Sequence, residues 1–399
     1  MNTERSGCEF RACILLSAIL VGACVPFTDE MDVTRPDTPG NLVVVAQTDT
    51  PDMFEGLSAI LTAEATGGAA PYLYRWDQNA GAAELTLADV TADTLTTDPL
   101  TTPGRYVFRV VVTDYKGSCA TAYVAVEVRE AVVASAPKLV VVGEPVDLSA
   151  ELAAEAEGAA LTWEVVRGTA SLEDENSSNP MLTTAAGETV EVLLTVTLPS
   201  TGELPVATTR LFEIVSVHDL HPQVLIETNF GDFTLELNGE LAPLHTVNFL
   251  LYVDEGFYDG LLFHRSACTP NLTTGDCEPF VLQGGGYKRV DGELKEVEPT
   301  RDPVPSEADN GLSNTEVYSV SLALTAGDPN SGTTQFFINL ADNGFLDGRG
   351  FTVFAAVVDG TEVVDAIVAA ETTDSPIIPG EVSLPVEDVI IEHVSRVGP

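Results

Sequence analysis

Between Leu261 and Gly286 the chain reads LLFHRSACTPNLTTGDCEPFVLQGGG. This stretch brings a His-Arg pair, two cysteines, an apolar step and a Gln followed by three glycines close together. Several chemistries can be built from such residues. A zinc site at His264, Cys268 and Cys277 needs a fourth ligand and paired spacing. With five histidines in the whole chain, no second C-x-x-C or H-x-x-x-H pair supplies one, so no metal is expected. Cys268 and Cys277 stand too far apart for a tight redox C-x-x-C, and a disulfide pinching a surface loop is the expectation. The glycines are not a phosphate cradle, because no Gly-Lys-Ser/Thr follows them. There is no G-x-S-x-G elbow and no Ser-His-Asp set. What remains is Arg265, two glutamines (Gln283 and Gln335) and a cluster of phenylalanines.

The elements around these residues bound what they can do. At 399 residues the chain is long enough for two or three domains. A net charge of −43 with only 18 Lys and Arg leaves no basic surface to release counterions from nucleic acid or to bind an anionic membrane by charge. The acidity is a colloidal property and does not bear on the fold.

Residues 1–23 read as an export signal. Arg5 and Arg11 precede the apolar run Cys13 to Ala23, which is too short to span a bilayer. Val21-Gly22-Ala23-Cys24 resembles a bacterial lipobox, in which Cys24 is lipidated and becomes the first mature residue. Glu4 and Glu9 dilute the basic region, and an ordinary secretory signal is the alternative. Cys8 and Cys13 would leave with the signal, and the sequence names no partner for Cys119. Residues 24–40 read as a tether. Residues 41–135 alternate as short strands punctuated by Gly, Pro, Asp and Asn, and residues 136–218 repeat the pattern. Trp76 and Trp163, and the Val112-Thr113 and Val196-Thr197 pairs after them, recur at a nearly constant offset, which points to two copies of one β-sandwich unit. The segment PYLYRWDQNAG resembles the tryptophan strand of PKD or immunoglobulin-like modules, without the aspartate-rich continuation common in PKD. Such modules serve as spacers or as binders of glycan or protein.

Residues 222–397 differ. Two alternating strands, VLIETNFG and DFTLELNG, precede an amphipathic helix at APLHTVNFLLYVDEG, with Val247, Leu250 and Leu251 at helical spacing. A second helix is expected at GTEVVDAIVAA. Two helices among many strands point to a closed β-barrel capped at its ends. The blocks GFYDGLLFHR, FVLQGGG, EADNGLSNTEVYSVSLALT, AGDPNSGTTQFFINLADNGFLDGRGFTVFAAVVDG and VVDAI then resemble the cyclophilin-type peptidyl-prolyl cis-trans isomerases, in order and nearly end to end. The resemblance implies an eight-stranded antiparallel barrel with a helix at each end, so that with the two sandwiches before it the expected chain is mainly β.

The resemblance also assigns roles. Arg265, the arginine of the FHR motif, and Gln283 carry catalysis. Phe280, Val281, Phe337, Phe345, Leu346 and Phe351 line the proline pocket, and Gln335 and the Ala323 backbone hold the peptide. Well-known eukaryotic members have a tryptophan where this chain has Phe345 and a histidine near Phe351, which puts cyclosporin binding in doubt more than catalysis. Phe263, Phe336 and Phe354 are expected in the core, and His264 is expected to be buried and hydrogen-bonded beside Arg265. Ser266 to Pro279 exceed the family's usual turn between the arginine and the QGG segment. The expected enzyme is a monomeric prolyl isomerase without cofactor, acting on X-Pro polypeptides in a bacterial envelope and anchored through lipid at Cys24. Val25 after Cys24 favours the outer membrane. The alternative is an envelope-anchored binding or adhesion protein with a weakly active barrel.

Overall fold

The structure is a computed structural model describing residues 41–156, 158–198, 206–270, 277–325 and 327–398. The signal, the tether, Cys24 and most of the loop between Cys268 and Cys277 lie outside the described residues. Two compact units are formed: one around the first sandwich, the other holding Ala134–Ala150, Leu161–Leu194 and Arg210–Pro399.

The first sandwich pairs a sheet of Val43–Thr48, Ile60–Thr66 and Thr94–Thr96 with a sheet of Asp52–Phe54, Cys119–Arg129, Gly104–Thr113 and Leu73–Ala80. Alternate residues of Gly104–Thr113 (Tyr106, Phe108, Val110 and Val112) are fully buried, as a period of two requires. They pack with Trp76 in one core. The two tryptophans do the same job. Trp76 Nε1 donates to the Ala92 carbonyl at 3.0 Å, and Trp163 Nε1 donates to the Ser177 carbonyl at 3.2 Å. Each indole thus buries its apolar body and satisfies its single donor.

The barrel strands are β1 (Gln223–Thr228), β2 (Gly231–Leu237), β3 (Leu262–Pro270), β4 (Cys277–Gly284), β5 (Ser319–Leu322), β6 (Phe336–Asn339), β7 (Val353–Asp359) and β8 (Val389–Arg396). They close in the order β1-β2-β7-β5-β6-β4-β3-β8, with β8 antiparallel to β1. Closure leaves no free edge. Helices α1 (Pro243–Asp254) and α2 (Thr361–Val368) accompany it. Inside, Phe249 meets Phe336 and Phe354 edge-on or tilted at 5.4 and 5.6 Å, and Phe263 meets Phe336 at 5.7 Å.

Helix α1 is not amphipathic as its periodicity predicts: every residue from His245 to Val253 is buried. The face that the sequence marks as polar is covered by the segment around 300–307 and by the loop before β6. Asn248 Nδ2 donates to the Thr333 carbonyl, and Tyr252 Oη accepts from the Arg301 amide. The helix starts at Pro243, whose missing N–H costs nothing there. Its cap comes from far away in sequence, since the Glu307 carboxylate accepts from the amides of Leu244 and His245 at 3.1 and 3.0 Å.

Within the second unit the part of the strand Val206–Val217 from Arg210 onward contributes Val215 and Val217 to the barrel's own core. Arg301 binds the carboxylates of Glu213 and Glu255, and Arg396 binds Asp254 and the Ser216 carbonyl. This strand and the barrel therefore share packing as well as sequence continuity.

Candidate active site

The register of three barrel strands builds the site. Arg265 on β3 stands opposite Gln283 on β4, and Gln283 stands opposite Phe337 on β6. One row further along, Ala267 faces Val281. Side chains alternate faces along a strand, so Leu282, Phe336 and Ile338 enter the barrel core while their neighbours point outward. The outward set, Ala267, Val281 and Phe337, joins Leu346 in a separate small apolar cluster, with Phe280, Ala323 and Phe351 packed against it.

Arg265 reaches this outer row through an irregularity. Phe263 pairs with Gly284, but Arg265 pairs with Gln283, so β3 carries one extra residue at His264. Strict alternation would put Arg265 on the same face as Phe263, in the core. The bulge flips it out.

The guanidinium is held on two sides. Nη1 donates to Gln283 Oε1 at 3.1 Å, and Gln283 Nε2 donates onward to Gln335 Oε1 at 2.9 Å. On the other side Nε and Nη2 donate to the two oxygens of Glu381 at 2.9 and 2.8 Å. The Arg265 carbon Cζ lies 6.0 Å from the centre of the Phe280 ring, and Phe280 stacks on Phe345 at 5.9 Å. Phe337 meets Phe351 edge-on at 5.6 Å. Beside the arginine a recess is lined by His264, Tyr287, Gln335, Ser375, Ile377 and Ile378.

The floor of the apolar cluster is buried, whereas Phe345 is 54% exposed and forms its rim. Phe345 and Leu346 sit on a short 3-10 turn, Gly344–Arg349, anchored by buried amides. Asn343 Nδ2 donates to the Phe280 carbonyl and to Asn339 Oδ1, and Asn314 donates to Asp347 Oδ1. Ala323 lies one residue beyond β5, and its N–H is taken by the Gln335 carbonyl at 2.8 Å. Two of the three glycines after Gln283 also find their reason. Gly285 has φ +82°, and Gly286 lies so close to Gln335 that an added Cβ would sit 2.4 Å from its Cγ. Gln335 can fold beside Gln283 only because nothing projects from Gly286.

Cys268 and Cys277 are joined in a disulfide across the ends of β3 and β4, with Cα atoms 5.4 Å apart. That pairing removes both thiolates from any metal site. His264 is buried as expected, but it is not fully hydrogen-bonded: among the described residues its Nδ1 has no partner, and its ring lies 4.6 Å from that of Tyr287. Burial, reinforced by the Arg265 charge and opposed by a backbone hydrogen bond, pushes its pKa down to about 4. The folded state thus keeps the imidazole neutral, while the unfolded chain protonates it near 6.5. Its contribution to stability is complete above that value and is lost as the pH falls toward 4, a loss on the order of 3 kcal/mol. Denaturant titrations between these limits are expected to show a shallower pH slope in His264→Leu than in wild type. An identical slope would assign the dependence to the carboxylates alone.

Glu381 is the residue that sequence reasoning missed. It lies next to a hairpin strand, Val382–Pro385, inserted between α2 and β8. As one of 61 acidic residues, it carries no local signal. Burial would raise its pKa, but the hydrogen bonds and charge of Arg265, with a bond from Ser383, outweigh burial and hold the carboxyl below its ordinary value.

A closed eight-stranded barrel with this outward row matches the family model for "Cyclophilin type peptidyl-prolyl cis-trans isomerase/CLD" over residues 223–396, and residues 57–128 match a family model for a PKD domain. The chain is 41% identical to the peptidyl-prolyl cis-trans isomerase cyp18 of Streptomyces antibioticus, over 44% of its own length and 98% of that protein. It is 40% identical to the peptidyl-prolyl cis-trans isomerase B of Escherichia coli, over 43% of its own length and 98% of that protein. This chain belongs to the cyclophilin-type peptidyl-prolyl cis-trans isomerases. Its cyclophilin barrel is an isomerase domain, preceded by a PKD domain.

Proposed function

We propose that the cyclophilin barrel isomerises X-Pro bonds in exported polypeptides, with Arg265 stabilising the twisted amide. The observation that carries this reading is the Arg265–Gln283–Gln335 chain beside the Phe337–Leu346 cluster. Rotation about a peptide bond faces a barrier of about 18–20 kcal/mol because resonance must be broken. No covalent bond is made or cleaved, so catalysis consists of binding the twisted form better than either planar one. Twisting localises a lone pair on the proline nitrogen. A guanidinium N–H aimed at that nitrogen gains its acceptor only then. Arginine stays charged and its planar fork can be held rigidly.

The remaining residues position the substrate. Ala267, Val281, Phe337 and Leu346 form an apolar seat for the proline ring, with Phe280, Phe345 and Phe351 around it. Gln335 and the Ala323 carbonyl hold the peptide backbone. A protease-coupled or NMR exchange assay on an X-Pro peptide, with wild type and Arg265→Ala side by side, tests this. Equal rates would overturn it.

The cellular setting rests on the sequence. The export signal and the lipobox at Cys24 support an envelope-anchored enzyme that assists the folding of exported proteins, with the sandwiches holding the barrel away from the membrane. Metabolic labelling with a radioactive fatty acid is expected to mark the wild type and not Cys24→Ala. Equal labelling of the two, or of neither, would remove the anchor from this reading.

A further inference from the structure

Glu381 has no counterpart among the residues assigned from the FHR, QGG and QFF motifs, yet it makes the most extensive contact that Arg265 has. A guanidinium carries five N–H donors. Three are used among the described residues, one from each nitrogen: Nε and Nη2 to Glu381, and Nη1 to Gln283. One N–H on each terminal nitrogen remains for a substrate. The carboxylate occupies the edge formed by Nε and Nη2, so the plane of the group and the direction of the remaining donors are both set. Arginine side chains lose about 2 kcal/mol of rotamer freedom when ordered. An arginine that had to find its orientation in each encounter would lose this entropy within the catalytic step.

The surroundings favour a built pairing over a chance surface contact. Arg265 and Glu381 are both about one-fifth exposed (20% and 22%). Glu381 Oε2 also accepts from Ser383 Oγ at 3.0 Å, and the Glu381 carbonyl accepts from the Ser375 amide at 2.8 Å. Ser375 Oγ in turn accepts from the amides of Ile377 and Ile378. The turn that presents Glu381 is thus closed by its own hydrogen bonds, and it places Ile377 and Ile378 beside the recess. In such a partly dry site a bidentate charge-assisted pair is strong and geometrically specific.

We propose that Glu381 is a positioning residue for the isomerase reaction. It locks Arg265 from the side opposite Gln283, so that the two remaining N–H groups face the bound prolyl amide. This rests on the role given to Arg265 above. The pairing weakens Arg265 slightly as a donor, because the carboxylate offsets its charge, and fixed orientation outweighs that loss.

The experiment uses the full chain and a prolyl peptide, measuring kcat and KM separately for Glu381→Ala, Glu381→Gln, Arg265→Ala and Arg265→Ala/Glu381→Ala. Glu381→Ala is expected to lower kcat about tenfold with KM within about twofold, as for an interaction acting only in the transition state. Glu381→Gln keeps one acceptor oxygen and is expected to fall between it and wild type. In the Arg265→Ala background, removing Glu381 is expected to have no further effect, because the two act as a unit. Ser383→Ala, which leaves both charges in place, should shift kcat in the same direction by less. It serves as the second variant if Glu381→Ala proves poorly folded by circular dichroism. Unchanged or raised kcat in Glu381→Ala, or a further loss in the Arg265→Ala background, would overturn the proposal. An Arg265→Ala enzyme as fast as wild type would instead overturn the reading on which it rests.

Discussion

Arg265→Ala is expected to lower kcat/KM toward a prolyl peptide by roughly 10²–10³-fold, the usual consequence of deleting one preorganised donor from a transition state. The loss should fall on kcat. In either planar isomer the proline nitrogen shares its lone pair with the carbonyl and accepts poorly, so the ground state gains little from the arginine. On the proposed reading KM is set by the apolar cluster and by Gln335, which the substitution leaves in place. Arg265→Lys separates charge from geometry. A lysine keeps the positive charge but is a point donor without a fork, and it cannot span both oxygens of Glu381 and Gln283 together. It should recover only a small part of the lost rate. A change confined to KM, in either variant, would reassign Arg265 from catalysis to binding.

Phe336→Ala and Phe337→Ala, at adjacent positions, are expected to fail in different ways. Phe336 is sealed in the barrel core against Phe249, Tyr258 and Phe263. Its truncation should destabilise the unit containing the barrel by about 3–5 kcal/mol, because the cavity left behind cannot collapse or fill. Phe337 points to the other face and joins the cluster with Val281 and Leu346. Truncation there opens a hollow onto the substrate seat, where water or the peptide can enter, so the stability cost is smaller. The functional cost is larger, since the proline ring loses its wall and KM should rise. Denaturant midpoints and steady-state kinetics on both variants check this. Equal loss of stability with equal KM would mean that the two rings share one environment.

Much of this molecule is legible as a pattern of residues. The FVLQGGG and DPNSGTTQFFINL blocks carry the family, and alternation along QFF sets Phe336, expected in the core, on the face opposite Phe337, which the resemblance assigns to the proline pocket. Both tryptophan strands follow from their spacing, and the Cys268–Cys277 pair from proximity. These are local signals, and local signals survive in one dimension. Where the structure departs from the sequence pattern, the cause is tertiary. The periodicity of helix α1 predicts a polar face toward solvent, but Thr246 and Asn248 are buried, and Asn248 Nδ2 donates to the distant Thr333 carbonyl.

The chemistry available to the site was therefore determined by the sequence alone: one arginine, two glutamines and a set of aromatic rings, with no metal or nucleophile called for. How that arginine is aimed was decided only in three dimensions. FHR read as a regular strand puts Phe263 and Arg265 on one face, and a single bulge at His264 separates them. The carboxylate that locks the guanidinium comes from Glu381, 116 residues away. One acidic side chain among many carries no mark in a sequence. Its significance arises when a closed barrel and an inserted hairpin bring it within 3 Å of Arg265, because an ion pair depends on distance and not on order along the chain.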